Sequence, residues 1–174
     1  MDNVVRKRAS ILICIIFVVE TLCGCSIADR FNNFVSQEQE IKTIAQQVMQ
    51  CIVNENKTEL LTLYSSDQIN NHEQEIYSQF DSAFKFISGK IVSYEYAGKG
   101  GGGATTHYGK TTYFHCYPEF RNVITDTGFE YVIEISFHYI WEEKPEREGV
   151  TRIKIIDAEN YKNYVEIGFE YLDD

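Results

Sequence analysis

The sequence predicts an α+β domain, with helices first, packed on one face of a curved antiparallel sheet built by the rest of the chain. Three observations lead there. Apolar residues recur at three- and four-residue steps as far as Ile87. From Lys90 onward the period falls to two. Tyr 12 and Phe 11 against Met 2 is a strand-rich balance.

The first helix is expected over Gln37 to Val53, where Ile41, Ile44, Ala45, Val48 and Ile52 fall on one stripe. Asn56 followed by Glu59 predicts the cap of a short second helix carrying Leu60, Leu61, Leu63 and Tyr64. A third is expected to open at Asn71, with Ile76, Phe80, Ala83, Phe84 and Ile87 as its stripe and Gly89 as its stop.

The strands follow. Val92, Tyr94 and Tyr96 alternate with polar residues. In "FEYVIEISFHYIW" every odd position from Phe129 to Trp141 is large and apolar. Upstream, Phe114, Cys116, Phe120 and Ile124 share one face, and Thr125 to Gly128 is a turn sequence. A hairpin closed there pairs positions that sum to 253, so Phe114 meets Tyr139, Cys116 meets Phe137 and Phe120 meets Ile133. Both apolar faces then coincide, as a correct register requires. Pro118 cannot donate to a ladder and predicts a bulge or an edge. Ile153 and Ile155, then Val165, Ile167, Phe169 and Tyr171, supply two more strands.

Ahead of the domain, Arg6, Lys7 and Arg8 precede the apolar run Ile11 to Val19. That run is too short to span a bilayer, which takes about 20 apolar residues, and fits the h-region of a secretory signal. The segment ends on Leu22-Cys23-Gly24-Cys25, which resembles the lipobox of bacterial lipoproteins. The resemblance implies removal of residues 1–24, a lipid thioether on Cys25, a spacer over 25–36 and one domain over 37–174. It also implies a lipid anchor on the extracytoplasmic side of a cell membrane. The leader holds three of 16 basic and two of 26 acidic residues, leaving 13 against 24, a net −11. Such a surface repels nucleic acid, and no block of basic residues overrides it.

The helix-rich start, the turn after the first helix and the alternating strands resemble the nuclear transport factor two-like (cystatin-like) superfamily. Together with the lipobox they look most like a group of uncharacterised clostridial-type lipoproteins. The superfamily hosts isomerases, dehydratases and non-catalytic binders, so the resemblance implies a fold and no activity.

Four candidate sites need weighing. Ala104 to Thr111 fits the loosest phosphate-loop pattern, but "TTYFHCYPEF" after it reads as a strand where that loop needs a helix. We therefore expect no nucleotide, and read the glycine run before it as a mobile connection between strands. His115 and His138 fall opposite each other on the face away from the core, near Tyr113 and Tyr117. They are either part of a metal site or a solvent-facing pair. Two ligands do not make a zinc site, and Glu119 and Glu134 lie too far along the strands to add a third. No metal or cofactor is expected. Cys51 and Cys116 are either two buried thiols or a disulfide closing 65 residues, which would add about 4 kcal/mol. Tyr94, Tyr96, Phe137, Tyr139 and Trp141 point inward, as core or as the lining of a ligand pocket.

These readings favour a tethered binding module without catalysis, meeting its partner, or a second copy, through the aromatic interior or the free sheet face. A small-molecule enzyme using the interior, with Tyr94 or Tyr139 as proton donor, is the alternative. It would need a carboxylate or histidine among those rings. A third reading is an immunity-type lipoprotein binding a basic toxin. Replacing Cys25 with Ser should abolish palmitate incorporation and leave the uncleaved precursor. Radiolabelled palmitate in a bacterial host tests this, and label retained by the variant would refute the lipobox reading.

Overall fold

The computed structural model describes residues 36–171, so Cys25 and the leader lie outside the described residues. The chain divides into two units, residues 1–40 and 41–174. Of the first, only residues 36–40 are described, as the opening turn of a helix.

Helix α1 runs over residues 36–53. Ile41, Ala45, Val48, Met49 and Ile52 bury its inner stripe. Helix α2, Lys57–Thr62, is capped as expected by Asn56, whose side chain accepts from the Glu59 amide. Helix α3, Ser66–Phe86, starts five residues before the expected Asn71. The cap is Ser65, which accepts from the Gln68 amide at 3.3 Å, and the polar first turn of α3 hides it from a search for apolar periodicity. Ile76, Phe80 and Ala83 are its buried stripe.

Seven antiparallel strands follow: β1 (Ile91–Gly98), β2 (Gly102–His107), β3 (Lys110–Cys116), β4 (Glu119–Thr125), β5 (Glu130–Trp141), β6 (Gly149–Asp157) and β7 (Tyr164–Gly168). β3 and β4 share one side of the long β5, and β6 with β7 continues the sheet on the other. β1 extends it beyond β4, and β2 extends it beyond β3. The strand expected through Pro118 is therefore two strands, broken at Tyr117 and Pro118. Across the break the ladder continues, because the Ile135 amide donates to the Pro118 carbonyl at 2.9 Å.

The 253 register holds at the hairpin's centre, where Phe120 pairs with Ile133, Cys116 with Phe137 and His115 with His138. It slips by one residue toward each end. On β4, the extra residue lies between Phe120 and Val123, where Asn122 takes φ +50°. Val123 is consequently buried and Ile124 exposed, the reverse of the expected alternation. On β5, Phe114 pairs with Ile140 and leaves Tyr139 as the extra residue. Trp141 thereby pairs with Tyr113 on the side of His138, opposite to Phe137.

The glycine run also departs from expectation. Gly102 to His107 is a strand, and Tyr108 and Gly109, both at positive φ, form a two-residue turn into β3. Ala104 to Thr111 is thus a β-hairpin, and Thr111 leads on along strand β3 where the phosphate loop would need a helix.

Inside, helices and sheet meet over Phe80, Phe120, Ile133, Ile153, Ile155 and Ile167, all fully buried. Two glutamines of α3 fasten the chain's end. Gln68 donates to the Phe169 carbonyl at 2.9 Å and accepts from its amide, while Gln79 accepts from the Gly168 amide at 2.7 Å. Phe120 sits between Tyr94 and Tyr96, edge-on at 5.6 and 5.4 Å. Phe120→Ala should cost about 3–5 kcal/mol, read as a lower urea midpoint at unchanged slope. A loss below about 1 kcal/mol would mean that the interior collapses into the space.

Candidate functional site

The side chains proposed from sequence as one inward set separate into three places. Tyr94 and Tyr96 flank Phe120 under α1, where Gln50 donates to the Tyr94 hydroxyl at 2.5 Å and Lys42 lies 5.8 Å over the Tyr96 ring. Phe137 and Tyr139 contact each other at 6.2 Å, and Tyr139 meets Phe114 at 5.9 Å, also on the helix side. Trp141 stands apart from both, on the sheet face turned away from the helices. The bulge at Tyr139 carries it there.

On that outer face the rings form a connected group. His115 and His138 stack at 5.8 Å, and Tyr113 contacts both, at 5.2 and 5.7 Å. Tyr117 lies edge-on to His115 at 5.4 Å. Trp141 stacks on His138 at 4.8 Å and is edge-on to Tyr113 at 5.1 Å. Tyr171 closes the group, edge-on to His138 and Trp141 at 5.6 and 5.9 Å. Arg147, from the 3-10 turn Pro145–Arg147, lies over Tyr171 at 4.5 Å and Trp141 at 5.3 Å, a cation–π placement.

The histidines were expected opposite each other beside Tyr113 and Tyr117, and they are. They are not a solvent-facing pair, however. His138 is only 7% exposed, because Trp141 and Tyr171 cover it. The Nδ1 of His115 is buried and has no hydrogen-bond partner among the described residues. Its ring lies over Gly103, where a Cβ would come within 2.9 Å of Cε1. Gly103 therefore seats the ring by having no side chain.

Polar groups frame the rings. Arg152 holds Glu166 at 3.2 Å and Glu170 at 2.9 Å, and the Tyr117 hydroxyl donates to Glu170 at 3.5 Å. The Tyr171 hydroxyl meets Ser65 at 2.9 Å, and burial pushes its pKa up to about 12. Among the described residues no three His, Cys, Asp or Glu side chains stand together to hold a metal ion.

Tyr171 and Arg147 are absent from the sequence candidates, and Trp141 was expected on the inner face. Tyr171 was expected only as the end of the alternating strand that carries Phe169. The extended alternation ends instead at Gly168, whose φ of +82° is open to glycine. Arg147 sits in a polar turn without periodicity, and Trp141 kept its alternation in sequence but not in space. A non-glycine residue at positive φ, such as Asn122, is the one local signal of a bulge that the residue type supports.

Cys51 and Cys116 are free and buried, so of the two alternatives the structure has the thiols. Burial pushes the Cys116 thiol up to about 12 and also raises Cys51, with Glu59 adding to the latter.

A family model described as "Domain of unknown function (DUF5104)" matches residues 47–158, from the middle of α1 through β6. No curated protein matches the chain.

The folded Cys116 thiol keeps its proton to about pH 12, whereas the unfolded one releases it near pH 9. Its contribution is complete below about pH 9 and is lost as pH rises toward 12. Urea titrations at about pH 8 and pH 10 should show stability falling, and Cys116→Ala should flatten the fall. An equal fall in both proteins would assign it elsewhere, the Tyr171 hydroxyl first.

Proposed function

The chain belongs to this family, and we propose that it is a non-catalytic binding module. In this reading a lipid on Cys25 tethers it to the extracytoplasmic side of a cell membrane, and its partner meets the ring-lined outer sheet face. The observation that carries the proposal is the group formed by Tyr113, His115, Tyr117, His138, Trp141 and Tyr171 on the sheet face opposite the buried core. Rings of this kind are the usual anchors of recognition surfaces, offering large contact area at low side-chain entropy cost. Arg147 and Arg152 with Glu166 and Glu170 supply the polar rim.

The lipobox-like Leu22 to Cys25 supports the tether, and the order of helices and strands supports the nuclear transport factor two-like reading. An enzyme working in the interior draws less support. Among the described residues the buried polar side chains are Ser65, Gln68, Thr125, Ser136, His138 and Thr151. None is a carboxylate, and the one histidine faces outward. The inward tyrosines therefore have no buried acid or base beside them to drive a proton transfer.

Native mass spectrometry of the full-length protein released from membranes by detergent tests both parts. A lipid-modified mass and a co-purifying molecule or protein are expected. Trp141→Ala combined with Tyr113→Ala should lose the bound species while the protein, though less stable, still folds by circular dichroism. Recovery in the soluble fraction would remove the tether. A species retained by this variant, yet lost from Tyr94→Phe, would move the site to the interior.

A further inference from the structure

Among the described residues, β1, β2 and β7 each pair on one side only. Exposed edges carry unpaired backbone groups, and folded proteins guard them with charged side chains, proline or bulges. β1 carries Glu95 and several register shifts against β4. β7 carries Glu166 at its centre, held by Arg152. β2 carries neither charge nor proline, and its one register shift against β3, between Thr105 and Thr106, places the extra residue, Thr112, on β3. Its sequence, GGATTH, contains no proline and no formal charge at pH 7 with His neutral, and five of its six residues are exposed.

The pairing groups of β2 point in a known direction. The Gly101 carbonyl accepts from the Tyr117 amide at 3.1 Å, and the Thr105 carbonyl accepts from the Thr112 hydroxyl at 3.4 Å. Odd positions thus face β3. By strand alternation, the N–H and C=O groups of Gly102, Ala104 and Thr106 face away from the sheet.

We propose that β2 is a homodimerisation edge, where two copies of this chain pair antiparallel about a two-fold axis at Ala104. That register opposes Ala104 to Ala104, Gly102 to Thr106 and Gly103 to Thr105. Each outward residue then donates one bond and accepts one, so three residues per copy give six bonds. The axis is normal to the sheet, so inner and outer faces continue from one copy into the next.

The occupant follows from charge and shape. A chain of net charge −10 repels its own copy over most of its surface. Of the three edges, β2 alone brings no carboxylate to such a contact. The side chains brought to the axis, from Gly102 to Thr106, are small or β-branched. The register also sets each His107 opposite Gly101, where a Cβ would have open space, and brings Tyr108, fully exposed at the hairpin tip, beside the partner's glycine turn. This contact is separate from the ring face and holds whether or not that face binds anything.

The test is sedimentation equilibrium of the full-length chain in mild detergent. The unaltered protein should dimerise with concentration. Ala104→Lys sets two lysines against each other across the axis and should weaken the dimer roughly tenfold or more, as should Ala104→Glu. Mixed in equal amounts, the two variants should recover the dimer, and their melting temperatures should match the parent's. The proposal is overturned by a monomer at every concentration, by a dimer indifferent to Ala104→Lys, or by folded variants that fail to recover on mixing. It is likewise overturned if the Gly102, Ala104 and Thr106 amides resist exchange in a purely monomeric sample, because another segment of the same chain would then occupy the edge.

Discussion

The register of β5 at its centre fixes most of what this molecule can do. Ile133 and Ile135 are fully buried and lie in ladders on both sides, with β4 or the Pro118 carbonyl on one and β6 on the other. A slip of one residue would exchange every inward and outward side chain on the strand. The inward row closes the core against α1 and α3, and the outward row brings His138 to the free face. The same ladder sets Phe120 between two tyrosines and His115 beside His138. Core and candidate site are two faces of one alignment.

Away from that centre, two extra residues redirect the alternation. The bulge at Asn122 turns Val123 into the core and Ile124 out of it. The one at Tyr139 turns Trp141 outward onto His138 while Tyr139 keeps its contact with Phe114. Bulges also increase local twist, which suits a sheet that must curve over its helices. The second is the more consequential, because without it the outer face would lack its largest ring.

The outer face also depends on contacts remote from it. Gln68 and Gln79 hold the backbone of Gly168 and Phe169 against α3, and Ser65 meets the Tyr171 hydroxyl. The cap of α3 is therefore a support of the candidate site. Buried amides that satisfy backbone groups in this way fix one geometry, since an unpaired partner would cost about 1–3 kcal/mol. The ring face balances Glu166 and Glu170 with Arg147 and Arg152, whereas the β2 strand carries no formal charge at all.

Sequence alone determined the order of helices and strands, the turn at Thr125 to Gly128, the central hairpin register and the meeting of His115 with His138. Those features rest on period and on turn chemistry, both local properties of the residues. It also supplied the lipobox resemblance around Cys25, on a stretch outside the described residues. Tertiary structure decided the side on which Trp141 and Ile124 lie, the strand made from the glycine run, the early start of α3 and the presence of Tyr171 and Arg147 among the rings. A bulge adds one residue without altering the alternation written in the chain, so which way a side chain points becomes visible only once its partner strand is in place. Gly102 and Gly103 form a strand because β3 offers them a ladder, whatever their own preference.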